Sequence, residues 1–237
     1  MKITILTLFP EMFEGFLNTS IIHRAILKGL VKIELIDFRA YSWDKHHKVD
    51  DTPYGGAPGM VLAIQPLYSA LKELKKDNSL VYLITPEGKT FDQKMAHELS
   101  DKSKSSDLIF ICGHYEGFDA RIEKYIDGKI SLGDFIITGG ELAAMCISDA
   151  IIRLKDGVIK KESSNDESFE NILLEPPQYT MPEEFDGQKV PEVLISGNHA
   201  LIKKWRIEQS CLRTQKERPD LWEKYERKLK DSEKKDR

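Results

Sequence analysis

Short runs of aliphatic and β-branched residues alternate with stretches of helical period through the first two-thirds of the chain. Residues 3–8 and 31–37 read as strands. Residues 80–84, 108–112 and 135–137 are apolar at every position, the pattern of parallel strands buried on both faces. Pro10 opens a helix predicted to reach about Lys28, where Gly29 stops it. Leu67, Ala70, Leu71 and Leu74 recur at helical spacing and predict an amphipathic helix over 66–76, and another helix is expected over 141–154. Strand and helix in alternation define an α/β domain with a parallel sheet and helices on both faces. That domain is expected over residues 1–159.

The pattern then changes. Residues 160–168 are polar and charged, with nothing to bury, and read as an interdomain linker spanning 160–176. A proline-marked stretch from Pro176 to Pro191 follows, then two helices, one capped by Asn198 and running to about Gln215 and one opened by Pro219. Residues 177–237 are therefore expected to form a small, mainly helical C-terminal domain. No apolar run is long enough to span a membrane, and the N-terminus lacks the pattern of a signal peptide.

A formal net charge of −4 gives no global attraction to nucleic acid, so any RNA surface must be a local basic patch. Lys203, Lys204, Arg206, Arg213, Lys216 and Arg218 cluster late in the chain around Trp205 and form one candidate. Trp205 itself is expected to pack the small domain. Three widely spaced cysteines, Cys112, Cys146 and Cys211, indicate neither a disulfide framework nor a zinc site, and fit a reducing cytoplasm.

Glycine-bearing turns follow three of the predicted strands. Thr85-Pro86-Glu87-Gly88 ends one, and Cys112-Gly113-His114-Tyr115-Glu116-Gly117 ends another. The third lies in Ser131-Leu132-Gly133-Asp134-Phe135-Ile136-Ile137-Thr138-Gly139-Gly140-Glu141, where an apolar strand sits between two glycine turns and passes into a helix. Turns at the carboxyl ends of neighbouring parallel strands predict one composite ligand pocket. Gly88-Lys89-Thr90 is a false P-loop, because Leu83 occupies the required glycine position, and no GxGxxG follows any strand. Any cofactor is therefore bound in another way than by a Rossmann-type glycine loop.

These segments resemble the cofactor loops of the bacterial tRNA (guanine-N1)-methyltransferases, the TrmD family. So do residues 49–60, with Asp50, Tyr54, Gly55 and Gly59, and the stretch Ser196-Gly197-Asn198-His199 running on to Lys203, Lys204 and Arg206. The likeness extends from the first strand to about Arg218. It implies the SPOUT fold, in which the strand-end loops of the α/β domain thread a deep trefoil knot, with a small helical domain following. It implies S-adenosyl-L-methionine as cofactor, held bent by Pro86, Gly113, Tyr115, Glu116, Gly117, Leu132, Gly133, Asp134, Phe135, Ile136, Ile137, Gly139 and Gly140. The substrate implied is tRNA carrying guanosine 37 beside the anticodon, contacted by Asp50, Tyr54, Gly55, Gly59, Ser196, Asn198, His199, Lys203, Lys204 and Arg206. It implies a cytoplasmic homodimer whose active sites use both subunits. Mg²⁺ accompanies the activity in the family, but His46, His47, Asp50 and Asp51 have no transition-metal spacing and its site here is unknown.

Guanine N1 carries a proton at neutral pH, so the reaction needs a general base and a cation for charge spreading onto O6. The resemblance places the cation at Arg153, ending the helix after the glycine turn. It places the base in the linker beside Ser168-Phe169, at Glu167 or at Asp166, with Glu167 matching the fixed spacing. Ala143, Ala57, His114 and Thr52 stand where many relatives carry proline, glycine, arginine and arginine. The competing reading is an RNA-binding protein that retains a non-catalytic S-adenosylmethionine pocket.

Overall fold

The computed structural model describes residues 1–159 and 167–235, the last four through their backbone. The chain divides into two compact units, Met1–Lys160 and Lys161–Arg237. In the first unit, β1 (Lys2–Thr7), β2 (Lys32–Asp37), β5 (Ser79–Thr90), β6 (Asp107–Cys112) and β7 (Gly128–Ser131) form one sheet, ordered β2-β1-β6-β5-β7. Every pairing in it is parallel.

Side chains alternate across this sheet because the strand period is two. Ile3, Ile5, Leu108, Phe110 and Cys112 point to one face, against α2 (Ser20–Leu27), α4 (Gln93–Lys102) and α5 (Glu141–Arg153). Leu6, Val81, Leu83, Ile109 and Ile111 point to the other, against α3 (Ile64–Leu74) and two 3₁₀ turns, Phe38–Tyr41 and Ala120–Tyr125. Each fully buried Leu, Ile or Phe contributes about 1.5–3 kcal/mol. Two such faces explain why strands 80–84 and 108–112 are apolar throughout. The α/β class and parallel sheet are as expected.

Three local expectations are corrected. The helix expected from Pro10 to Lys28 is a 3₁₀ turn, Pro10–Phe13, followed by α1 (Glu14–Asn18) and α2. It breaks where the Thr19 hydroxyl donates to the Gly15 carbonyl at 2.6 Å and Ser20 takes a φ of 56°. The run 135–137 is not a buried strand. The strand is β7, and Phe135 and Ile136 are exposed, because the ladder with β5 ends at Ser131 and the chain turns at Gly133. Nor does β5 end at Thr85. Ile84 and Lys89 both face Ile130, so Thr85, Pro86, Glu87 and Gly88 bulge out of the strand before pairing resumes. Gly88 permits this closure, since a Cβ there would lie 2.4 Å from the Ile130 backbone.

β3 (Asp50–Asp51) and β4 (Val61–Leu62) pair antiparallel, making residues 52–60 a hairpin loop. The second unit contains a hairpin, β8 (Glu184–Phe185) with β9 (Gln188–Lys189), then α6 (Glu192–Ile195), α7 (His199–Glu217) and α8 (Pro219–Lys235). The Asn198 side chain caps α7 by accepting from the Leu201 amide at 3.2 Å. No helix among the described residues is long and apolar enough to cross a membrane.

Candidate functional site

An open cavity of about 520 Å³ lies at the carboxyl ends of β5, β6 and β7. The β5 bulge supplies Pro86, the turn after β6 supplies Gly113, Tyr115, Glu116 and Gly117, and the segment after β7 supplies Leu132, Gly133, Phe135, Ile136, Ile137, Gly139 and Gly140. Asp134 is exposed and is not among the lining residues. The volume is that of a small-molecule site, which runs to roughly 300–1,000 Å³. Its wall combines apolar faces with bare backbone, as recognition of a flat polar ring requires.

Two of the three loops are locked together by backbone. The Gly140 amide donates to the Gly113 carbonyl at 2.8 Å, and a Cβ on Gly140 would lie 2.7 Å from both Cys112 Cα and the Gly113 nitrogen. Tyr115, at φ 57°, sits in the left-handed region that non-glycine residues rarely occupy, a conformation costing about 1–3 kcal/mol. It is half exposed at the cavity mouth.

A buried polar cluster missed by sequence reasoning lies behind this wall. Glu141, the first residue of α5, is almost fully buried; Thr7 Oγ1 donates to its Oε1 at 2.6 Å and His114 Nε2 lies 2.9 Å from its Oε2. A carboxylate in the first helical turn is also favoured by the helix dipole. The His114 ring packs on Phe9, with centroids 4.9 Å apart, and itself lines the cavity. The available signal was a charged residue directly after Gly139-Gly140, where burial obliges it to find partners. Cys112 lies beneath, and burial, with Glu141 nearby, holds its thiol well above the ordinary range, so it stays neutral.

The hairpin loop reaches the same region. The Glu116 amide donates to the Met60 carbonyl at 3.0 Å, the Leu62 amide donates to the Gly117 carbonyl at 2.9 Å, and Gly59 abuts the Glu116 side chain. Tyr54 is fully exposed, beside Gly55, whose φ is 90°. Asp50 lies on β3. Asp51 is held below the usual carboxylate range by the Thr52 amide and by Lys48. Among the described residues no group of three or more His, Cys, Asp or Glu is gathered to hold a metal ion.

Arg153 is placed elsewhere. It ends the thirteen-residue helix that Glu141 begins, so it stands roughly 15 Å along the helix axis from Ala143, which lines the cavity. Glu167 lies in the second unit, and Asp166 is outside the described residues. In that unit Ser196 ends α6 and accepts from the Asn198 amide at 3.2 Å, Asn198 and His199 form the N-terminal end of α7, and Lys203, Lys204 and Arg206 are exposed along it. Trp205 is half buried against Tyr179, with centroids 6.4 Å apart. The late basic cluster is smaller than its sequence suggests. Arg213 donates to the Glu175 carbonyl at 3.2 Å, and Arg218 grips Asp220, holding its pKa down to about 2.

A parallel α/β sheet with a ligand-sized cavity at its strand ends, walled by interlocked backbone rather than a dinucleotide loop, defines a small-molecule-binding α/β protein. The chain belongs to the tRNA (Guanine-1)-methyltransferase TrmD family, whose model matches residues 1–224. A tRNA (guanine-N(1)-)-methyltransferase of Clostridium botulinum (strain Langeland) is 56% identical over 227 residues, covering 95% of this chain and 93% of that protein. Proteins of the same name from Ureaplasma urealyticum serovar 10 and Staphylococcus epidermidis are 53% and 51% identical. Each alignment covers 95% of this chain, with 98% and 92% of the respective relative.

Proposed function

We propose that this chain is a cytoplasmic tRNA (guanine(37)-N1)-methyltransferase that takes its methyl group from S-adenosyl-L-methionine. The observation that carries this reading is the convergence of three strand ends on one backbone-walled cavity in a chain of this family. The apolar faces of Phe135, Ile136 and Ile137 and the bare backbone of the 132–140 segment suit an adenine ring. Glu116 suits the ammonium of the methionine part. When bound, S-adenosylmethionine supplies a methyl group on an electrophilic sulfonium. Glu167, or Asp166, takes the N1 proton, and Arg153 steadies negative charge developing on O6. Relieved of its proton, guanine N1 would be nucleophilic enough to accept that methyl group.

The placement of Arg153 roughly 15 Å along α5 from Ala143 at the cavity wall fits a homodimer whose active sites use both subunits. Leu142 and Cys146, one turn apart on α5, are exposed and offer an apolar face for a second copy. The small helical unit is assigned to tRNA binding through the exposed face of α7. A trefoil knot is supported by the path after β7, which locks onto Gly113 and then packs α5 on β1 and β6.

The test is transfer from labelled S-adenosylmethionine to an unmodified tRNA transcript with guanosine at position 37, against one with adenosine there. Label on the guanosine transcript alone is the expected outcome. Equal labelling moves the target elsewhere, and cofactor binding without label on either favours a non-catalytic RNA-binding role. Arg153→Ala is expected to lower turnover about 100-fold, the scale of one lost electrostatic stabiliser. Cofactor affinity by calorimetry should stay within about twofold of native, because the role assigned to the side chain is on guanine O6 and not on the cofactor. Equal losses in both would remove Arg153 from the chemistry.

A further inference from the structure

Residues 168–175 form a loop that the chain holds in an improbable backbone shape. Phe169 and Ile172 have φ values of 76° and 73°, in the left-handed region, where a bulky aromatic and a β-branched residue are genuine outliers. Two such residues within four positions persist only where surrounding contacts over-determine the backbone.

Those contacts are present. The Ser168 amide donates to Glu175 Oε1 at 3.2 Å, and the Glu175 amide donates to Ser168 Oγ at 3.1 Å, a reciprocal clasp across the loop's ends. Inside it, the Phe169 amide donates to the Leu173 carbonyl at 3.1 Å. The clasp is fastened to α7 at two points. Thr214, fully buried, accepts from the Leu174 amide at 2.8 Å while its hydroxyl donates to the Ser210 carbonyl at 2.7 Å. Arg213 donates to the Glu175 carbonyl at 3.2 Å. Helix α7 thus carries a rigid seat for the loop, and Glu167 is the residue immediately before the clasp.

We propose that Thr214 and Glu175 are positioning residues for methyl transfer, fixing the backbone from which Glu167 presents its carboxylate to guanine N1. This rests on the reading of Glu167 as general base. Proton abstraction demands the carboxylate within hydrogen-bonding reach of the proton, and small misplacements of a catalytic group cost large factors in rate. Strain in the loop serves that end, since a relaxed segment would let the carboxylate sample many positions. The charge on Glu175 is not what matters. Its side chain acts as an acceptor for one amide, so a neutral amide oxygen serves equally.

Single-turnover methyl transfer to a guanosine-37 transcript, at saturating tRNA and S-adenosylmethionine, tests this in full-length Thr214→Val, Thr214→Ser, Glu175→Ala, Glu175→Gln and Glu167→Gln proteins. The expected result is a rate loss on the order of 10- to 100-fold in Thr214→Val and Glu175→Ala. Thr214→Ser and Glu175→Gln restore the rate, and cofactor and tRNA affinities stay native throughout. Loss in Glu167→Gln with full rate in Thr214→Val and Glu175→Ala overturns the positioning role alone. So does weakened tRNA binding in those two variants with native rate at saturation, which is what a merely structural role gives. Loss in Glu175→Gln as deep as in Glu175→Ala also overturns it, by making the charge essential. Full rate in Glu167→Gln overturns the base assignment and the clasp's role with it.

Discussion

Gly140→Ala is expected to lower the affinity for S-adenosylmethionine by about 100-fold, the upper end of what overpacking a closely packed site costs, near 3 kcal/mol. The added Cβ would sit 2.7 Å from Cys112 Cα and from the Gly113 nitrogen. These atoms belong to a strand end in the middle of the sheet, and neither can swing aside as a flexible side chain would. The turn must therefore retreat. That breaks the 2.8 Å bond from the Gly140 amide to the Gly113 carbonyl, which holds one cavity wall against another. The start of α5 moves with it, because the Ala144 amide donates to the Gly140 carbonyl at 2.8 Å and Glu141 is pinned by Thr7 and His114. Calorimetric titration with S-adenosylmethionine, alongside thermal unfolding, measures both consequences. Gly15→Ala is the matched control. Its Cβ meets no atom within 4 Å, it lies in α1, and it is expected to leave affinity native and stabilise slightly. Native affinity in Gly140→Ala would mean that the interlocked turns do not form the cofactor's seat.

The same contrast shows what the sequence pattern could reveal. Parallel strands buried on both faces leave apolar runs with no polar interruption, so 80–84 and 108–112 were legible without any alignment. The run 135–137 carries the same signature for a different reason. Its apolar groups face a cavity, and no periodicity separates a side chain buried by protein from one kept for a ligand. β7, Gly-Lys-Ile-Ser, was invisible because its two ends are held by the bulged β5 rather than by hydrophobicity of its own. Asp186-Gly187 was a readable hairpin signal, with φ of 50° and 73°, lost in a stretch marked chiefly by prolines. Glu141 and Thr7 lie 134 residues apart, and no local pattern pairs a threonine on the first strand with a carboxylate on a late helix. For the site, glycine turns announced where backbone would approach backbone. The carboxylate and the cation proposed for the chemistry rest only on family resemblance. Glu167 sits in a charged run that reads as solvated, and Arg153 reads as a residue ending its helix.

Glu167 is where the largest kinetic effect is expected. Glu167→Gln keeps the size and hydrogen-bonding reach of the side chain and removes its ability to accept a proton. Methyl transfer in a single turnover should then fall by about 10²- to 10⁴-fold, the usual contribution of a positioned general base. Affinity for cofactor should be unchanged, because the residue belongs to the second unit while the cavity is built wholly from the first. The pH profile supplies the sharper reading. With the base gone, N1 must lose its proton to solvent, so the residual rate should climb about tenfold per pH unit until guanine itself ionises. The native rate, by contrast, should flatten once the carboxylate is charged. Asp166→Asn, measured in parallel, should stay near native, since Glu167 alone holds the fixed spacing to Ser168-Phe169 and stands directly before the clasp that Glu175 and Thr214 hold rigid. If the two variants exchange behaviours, the proton goes to Asp166, and the clasp would then lie one residue further from the base it was taken to seat.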